Sequence, residues 1–182
     1  MPVAEDGVAG QLRHALRLVL GPRRRAFAAG LAAALLLAVP DLGRQLLVRD
    51  DPSYAHALLV DVVGVLTAAL VQLALVGLVA GEPARRWLTG GVRLLLVALR
   101  ERPVVVLAGL VCAGAVSALL TVPASVAALG VQQVIGPLTG PPISALLLAQ
   151  ASDVVATAVT APYFAVLVAT SAGAPARRYG AA

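Results

Sequence analysis

Lysine is missing from this chain altogether, so its 14 basic residues are all arginine. Aromatics make up 3% of the sequence, charged residues 13%, and there is a single cysteine. Each scarcity excludes something. One cysteine forms no intramolecular disulfide and supplies no cysteine zinc site. Cys112 falls inside an apolar stretch, where it is expected as a small, buried packing residue. The sequence has no HExxH, no Asp-rich loop and no Gly-rich phosphate loop followed by lysine, and its serines lack a histidine at workable spacing. His14 and His56 fall at opposite ends of the expected topology, so they share no metal. No metal, no cofactor and no enzymatic activity are expected.

What is present is apolar. Hydrophobic residues reach 60% and the mean hydropathy is +0.92, outside the range of soluble globular chains. The 182 residues hold four long apolar stretches, each near the roughly 20 residues that cross a bilayer. The expected architecture is an all-α polytopic membrane helix bundle in a single integral domain. Its spans are placed at 26–48, 54–80, 103–129 and 143–170, forming two hairpins. An interfacial amphipathic helix precedes each hairpin, at 8–20 and 83–102.

The arginines orient the bundle. Arg13, Arg17, Arg23, Arg24 and Arg25 precede the first span. Arg85, Arg86, Arg93, Arg100 and Arg102 lie between the second and third, and Arg177 and Arg178 follow the fourth. The opposite side carries only Arg44 and Arg49. Cytoplasmic loops retain positive charge during insertion, so both termini are expected in the cytoplasm. A net charge of +5 suits nucleic acid in a soluble protein; here the arginines flank apolar stretches, and anionic lipid head groups are the expected partner instead. The preference for Ala, Gly, Arg, Pro, Val and Leu over Lys suggests a GC-rich bacterial genome, hence a bacterial inner membrane. Arg24-Arg25-Ala26-Phe27 has the look of a twin-arginine export signal. No small-residue cleavage site closes the run at Pro40-Asp41, so a retained span is expected.

Local patterns refine this. In the first amphipathic segment Val8, Leu12, Ala15, Leu16 and Val19 recur at helical spacing opposite Gly10, Arg13, His14 and Arg17. In the second, Trp87, Leu88, Val92, Leu95, Leu96 and Leu99 oppose Arg86, Thr89, Arg93 and Arg100. Small residues every fourth position, Ala26/Gly30/Ala34/Ala38 and Ala113/Ser117/Thr121, form stripes that let another helix approach closely. Asp41 and Arg44, three apart, are spaced for a local pair. The uncharged loop 130–142 is expected as an outer hairpin, with a re-entrant path as the alternative. Gly30 and Gly109, each within Ala-Gly-Leu, mark two halves of similar plan. The pattern fits a parallel duplication and two independent hairpins equally.

Two residues carry the sharpest chemical signal. Asp61 and Asp153 interrupt the second and fourth spans, and a mid-span carboxylate costs roughly 2.5–3.5 kcal/mol on insertion scales. Such a residue normally faces protein or water, so one reading is a proton- or cation-sensitive site between these spans, with Gln72, Gln150 and Thr157 as neighbours. The other is that each aspartate lies shallow and bonds locally. Asp61 is nearer the end of its span, so Asp153 has the stronger claim.

Gly81-Glu82-Pro83 leading through the amphipathic segment to Arg102-Pro103, with a last span ending Ala161-Pro162-Tyr163-Phe164, resembles the uncharacterised bacterial membrane family related to the glycerophosphodiester phosphodiesterase membrane domain. The resemblance covers residues 55 to 178 and implies a multi-span membrane domain with amphipathic helices before hairpins. It carries no catalytic residue. The charged sequence that such members have after the tyrosine is absent here. Two functions follow as expectations: a structural or accessory subunit of a transport or envelope assembly, pairing with another membrane protein or with itself, or a small oligomeric transporter or channel using Asp153 and Asp61.

Overall fold

The structure, a computed structural model, describes residues 7–21, 24–48, 53–135 and 140–174. Arg23, the turn Arg49-Asp50-Asp51-Pro52, Arg177 and Arg178 lie outside the described residues, as do the side chains of Arg24 and Arg25. The described residues form helices and no strand. They are α1 (Val8–Leu20), α2 (Arg24–Val48), α3 (Tyr54–Val79), a 3-10 turn (Ala84–Arg86), α4 (Trp87–Glu101), α5 (Pro103–Leu129), a short α6 (Val131–Ile135) and α7 (Ile143–Ser171). Helices α2, α3, α5 and α7 are long and apolar enough to cross a membrane, which makes this an all-α, multi-pass membrane protein. In hydrocarbon every backbone N–H and C=O must be satisfied within the segment, and a continuous helix does this for nearly the whole span. Pro40, Pro123 and Pro162 sit inside α2, α5 and α7 without ending them.

Helix α7 is the centre. In its apolar window 44% of residues are buried, against 17%, 22% and 17% for α2, α3 and α5, so the other three spans surround it. Helix α5 packs along α7 most extensively, then α2, then α3. The amphipathic helices cross over between the halves. Helix α1 packs mainly on α7 and α5 of the second half, and α4 packs mainly on α3 of the first. Both come together with the C-terminal part of α7, where Ala15, Val19, Leu94, Ala98 and Ala165–Ala169 join one core cluster. The core therefore sits at the arginine-rich end, and the opposite half of the bundle is more open.

Glycines set how closely these helices approach. A Cβ on Gly91 would lie 1.8 Å from the Leu73 carbonyl oxygen, and one on Gly77 would lie 2.0 Å from that of Trp87. Helices α3 and α4 thus meet backbone to backbone, after a reversal at Gly81 whose φ of 80° is in the left-handed region. Trp87 Nε1 donates to the Glu82 carbonyl at 2.9 Å, and Arg93 pairs with the Glu82 carboxylate at 2.8 Å. Of the Ala26/Gly30/Ala34/Ala38 stripe, the first three are buried and Ala38 is half-buried on the wall of a cavity. A Cβ on Gly30 would meet the Pro162 ring at 2.3 Å, so α2 rests directly on the proline of α7.

One local expectation needs correction, and the packing of two helices is more specific than their pattern. Cys112 is exposed rather than buried, because α5 contacts α7 along one face and Cys112 lies off it. In α4 the packed residues are Gly90, Gly91, Leu94 and Ala98, whereas Leu88, Val92, Leu96 and Leu99 face outward. In α1 it is Ala15 and Val19 that pack, with Leu16 and Leu20 exposed. Close backbone approach selects the small side chains for the contact and leaves the large apolar ones to the surroundings.

Candidate functional site: a polar cavity at the arginine-poor end

Away from the core, α2, α3 and α7 diverge around a cavity of about 570 Å³. Each helix contributes polar groups at helical spacing: Asp41, Arg44 and Gln45 from α2, Asp61 and Gly64 from α3, and Gln150, Asp153 and Thr157 from α7. The spacing explains the convergence, since positions three or four apart return to one face of a helix. Leu37, Val60, Val65 and Val154 complete the wall.

The groups are ordered by specific contacts. The Arg44 guanidinium donates to the Asp41 carboxylate one turn earlier. The same guanidinium lies against α3 at Gly64, where a Cβ would sit 3.0 Å from the Nη2 that bonds Asp41. Gln45 Nε2 donates to Gln150 Oε1 at 3.3 Å, joining α2 to α7, and Gln150 is 8% exposed. Asp153 is half-buried and Asp61 exposed. Asp41 is matched by Arg44, and among the described lining residues no second cation faces Asp61 and Asp153. Among the described residues, no three His, Cys, Asp or Glu side chains converge closely enough to hold a metal ion.

The structure thus brings together Asp61, Asp153, Gln150 and Thr157, and it does not bring Gln72 with them. Gln72 is eleven residues beyond Asp61, about 16 Å along the helix. Its Nε2 donates to the Ala161 carbonyl at 3.0 Å, bonding α3 to α7 on the arginine-rich side of the cavity. Sequence reasoning recognised the Asp41/Arg44 pair without placing it in the site, and missed Gln45. The available signal was the register of α2: 41, 44 and 45 lie on the face that continues Ala34 and Ala38. Of the arginines expected at head groups, Arg85, Arg86, Arg93, Arg100 and Arg102 are all exposed, at or beside α4.

At its inner limit the cavity ends on Leu37, Ala68 and Thr157. These same three residues line a second cleft beyond, so they form a neck between two openings. Comparison with protein-family models, characterised proteins and solved structures gives no match, and the site is read from its own geometry.

The Arg44 contacts give a first expected outcome. Arg44→Gln leaves three carboxylates facing one cavity, and should lower thermal stability in detergent by roughly 1–3 kcal/mol, below the range for a fully buried pair. The double variant Asp41→Asn/Arg44→Gln should recover most of that loss, because it removes the unpaired charge as well.

Proposed function

We propose that this chain is a bacterial inner-membrane protein of the small transporter or channel class, which binds a small cation in the cavity between α2, α3 and α7. The observation that carries this reading is that Asp61 and Asp153, from different spans, line one cavity in which Arg44 is the one cation among the described residues. Carboxylates within a span are costly unless they meet water, a counter-charge or a ligand. A cavity of this size admits all three. Asp153 and Asp61 attract the cation, Thr157 and Gln150 offer oxygen ligands, and Arg44 restrains Asp41. The neck at Leu37, Ala68 and Thr157 separates the cavity from the arginine-rich side.

The test is purified protein in nanodiscs, titrated with sodium, guanidinium and tetramethylammonium while thermal unfolding is followed. A bound cation stabilises by mass action, so at about 100 times its Kd the gain is about 2.7 kcal/mol. Stabilisation by one of these cations, absent in Asp153→Asn, supports the reading; no cation dependence for any of them refutes it. The orientation follows from the arginines, with both termini cytoplasmic and the cavity facing outward. Reporter fusions at Pro52 and Gly136 should read outside and one at Gly90 inside, and the reverse pattern would overturn that assignment.

The second reading is an accessory subunit. It is favoured by the outward face of α3, where Leu58, Leu59, Val62, Leu66 and Leu70 are exposed in an unbroken apolar surface that a partner span would cover. Extraction in mild detergent separates the two: a stoichiometric foreign subunit supports the accessory role. The segments resembling the glycerophosphodiester phosphodiesterase-related family support a membrane domain under either reading and assign no catalytic residue.

A further inference from the structure

The two halves share a plan but are not equally closed. In that plan the contact of α2 with α7 corresponds to a contact of α5 with α3. The first is sealed by Gly30 against Pro162. The second is marginal at most; α5 packs on α7 and leaves a cleft of about 630 Å³ facing α3. Helix α7 floors this cleft, and Leu95 and Leu99 of α4 line its arginine-rich end.

Its surface is suited to hydrocarbon. Gln72, on the wall, spends its amide on the Ala161 carbonyl, and Thr160 bonds the Ala156 carbonyl at 2.8 Å. These two groups are turned into the protein, and Ser117 and Thr157 are the other polar residues on the wall.

Charge sets the occupant's head. Arg100 and Arg102 are exposed at the corner where α4 turns into α5, between the cleft-lining residues Leu99 and Val106. Arg102 donates its backbone N–H to Ala98 and accepts from Val106 through its carbonyl, which fixes the corner at the mouth. We propose that the cleft is a binding site for one anionic phospholipid, an acyl chain lying between α3 and α5 and its phosphate at Arg100 and Arg102. An anionic head group attracts arginine at the membrane surface, and the chain position converts that general attraction into a discrete site.

Gly114 makes the test clean. It lines the cleft, and a Cβ there would meet nothing within 4 Å, so the side chain of Gly114→Phe enters the cleft from open space. The probes are dioleoyl phosphatidylglycerol and dioleoyl phosphatidylcholine, added to delipidated protein and read by native mass spectrometry. Wild type should retain one phosphatidylglycerol at least tenfold more strongly than phosphatidylcholine. Gly114→Phe should lose that retention while keeping its thermal transition. Arg100→Gln/Arg102→Gln should bind both lipids equally. A phosphatidylglycerol with a photoreactive group in its acyl chain should label the 103–129 segment of wild type, a readout that needs no variant. Equal retention by Gly114→Phe and wild type, equal retention of the two lipids by wild type, or labelling confined to residues outside the cleft overturns the proposal. So does a dimer that Gly114→Phe dissociates, which would make a second copy the occupant.

Discussion

Replacing Gly91 with valine is expected to detach α4 from the bundle. The Cβ alone would sit 1.8 Å from the Leu73 carbonyl oxygen and 2.7 Å from its carbon. Both atoms are backbone within α3, so no side chain can swing aside and the helices must separate. Separation uncovers Leu94 and Ala98, which belong to the core cluster shared with α1 and α7. The loss should reach about 3 kcal/mol or more, the upper part of the range for overpacking. Thermal unfolding in detergent gives the magnitude, and new proteolysis between Gly81 and Arg102 identifies the helix that has moved. Gly43→Ala is the control. A Cβ there meets nothing within 4 Å, and alanine favours helix by roughly 0.8–1 kcal/mol, so that variant should be neutral or slightly stabilised. If Gly91→Val unfolds like wild type, the backbone contact between α3 and α4 is wrong.

Asp153→Asn should have the largest effect on binding. Asp153 is half-buried, shares the cavity with Asp61 and Asp41, and among these carboxylates only Asp41 is paired with Arg44. Asparagine keeps the shape and removes the charge. Cation affinity should fall about 10- to 100-fold, equivalent to about 1.4–2.7 kcal/mol. Asp61→Asn should cost less, because Asp61 is exposed and its charge is better screened. Stability without cation should hold or rise in Asp153→Asn, since one of three neighbouring like charges is gone. The variant therefore separates function from folding: lost binding together with retained stability is the expected pair. Equal affinity of Asp153→Asn and wild type would remove Asp153 from the site.

The bundle was legible in the sequence because the bilayer leaves few options. Long apolar runs can only be helices there, and Gly21-Pro22 and Gly81-Glu82-Pro83 punctuate them visibly. Periodicity also placed Asp61, Gln150, Asp153 and Thr157 on usable faces. It did not identify which face of a nearly all-apolar helix meets protein. Lipid and protein interior are alike in polarity, so the hydrophobic pattern alone did not say that Ala15, Gly90, Gly91, Leu94 and Ala98 would be the residues of α1 and α4 that meet protein. The site shows the same limit in the axial direction. Gln72 shares a face with Asp61 yet is displaced too far along α3, while Gln45 enters only because α2 packs against α7 on the Gly30 side. The crossing of α1 and α4 onto opposite halves has no signature in either half alone.

The central claim is that a water-filled, negatively charged cavity opens at the arginine-poor end between α2, α3 and α7. The most direct measurement places a cysteine at Ala38, a cavity-lining position, in a Cys112→Ser background. Its reaction with a small, membrane-impermeant cationic thiol reagent is then followed in right-side-out vesicles. The expected result is labelling from the outside that is several-fold faster than with an anionic reagent of similar size, with the preference lost in Asp153→Asn. Silence toward both reagents would mean a dry helix interface, and equal rates would mean a wet cavity without the charge on which the proposed function rests.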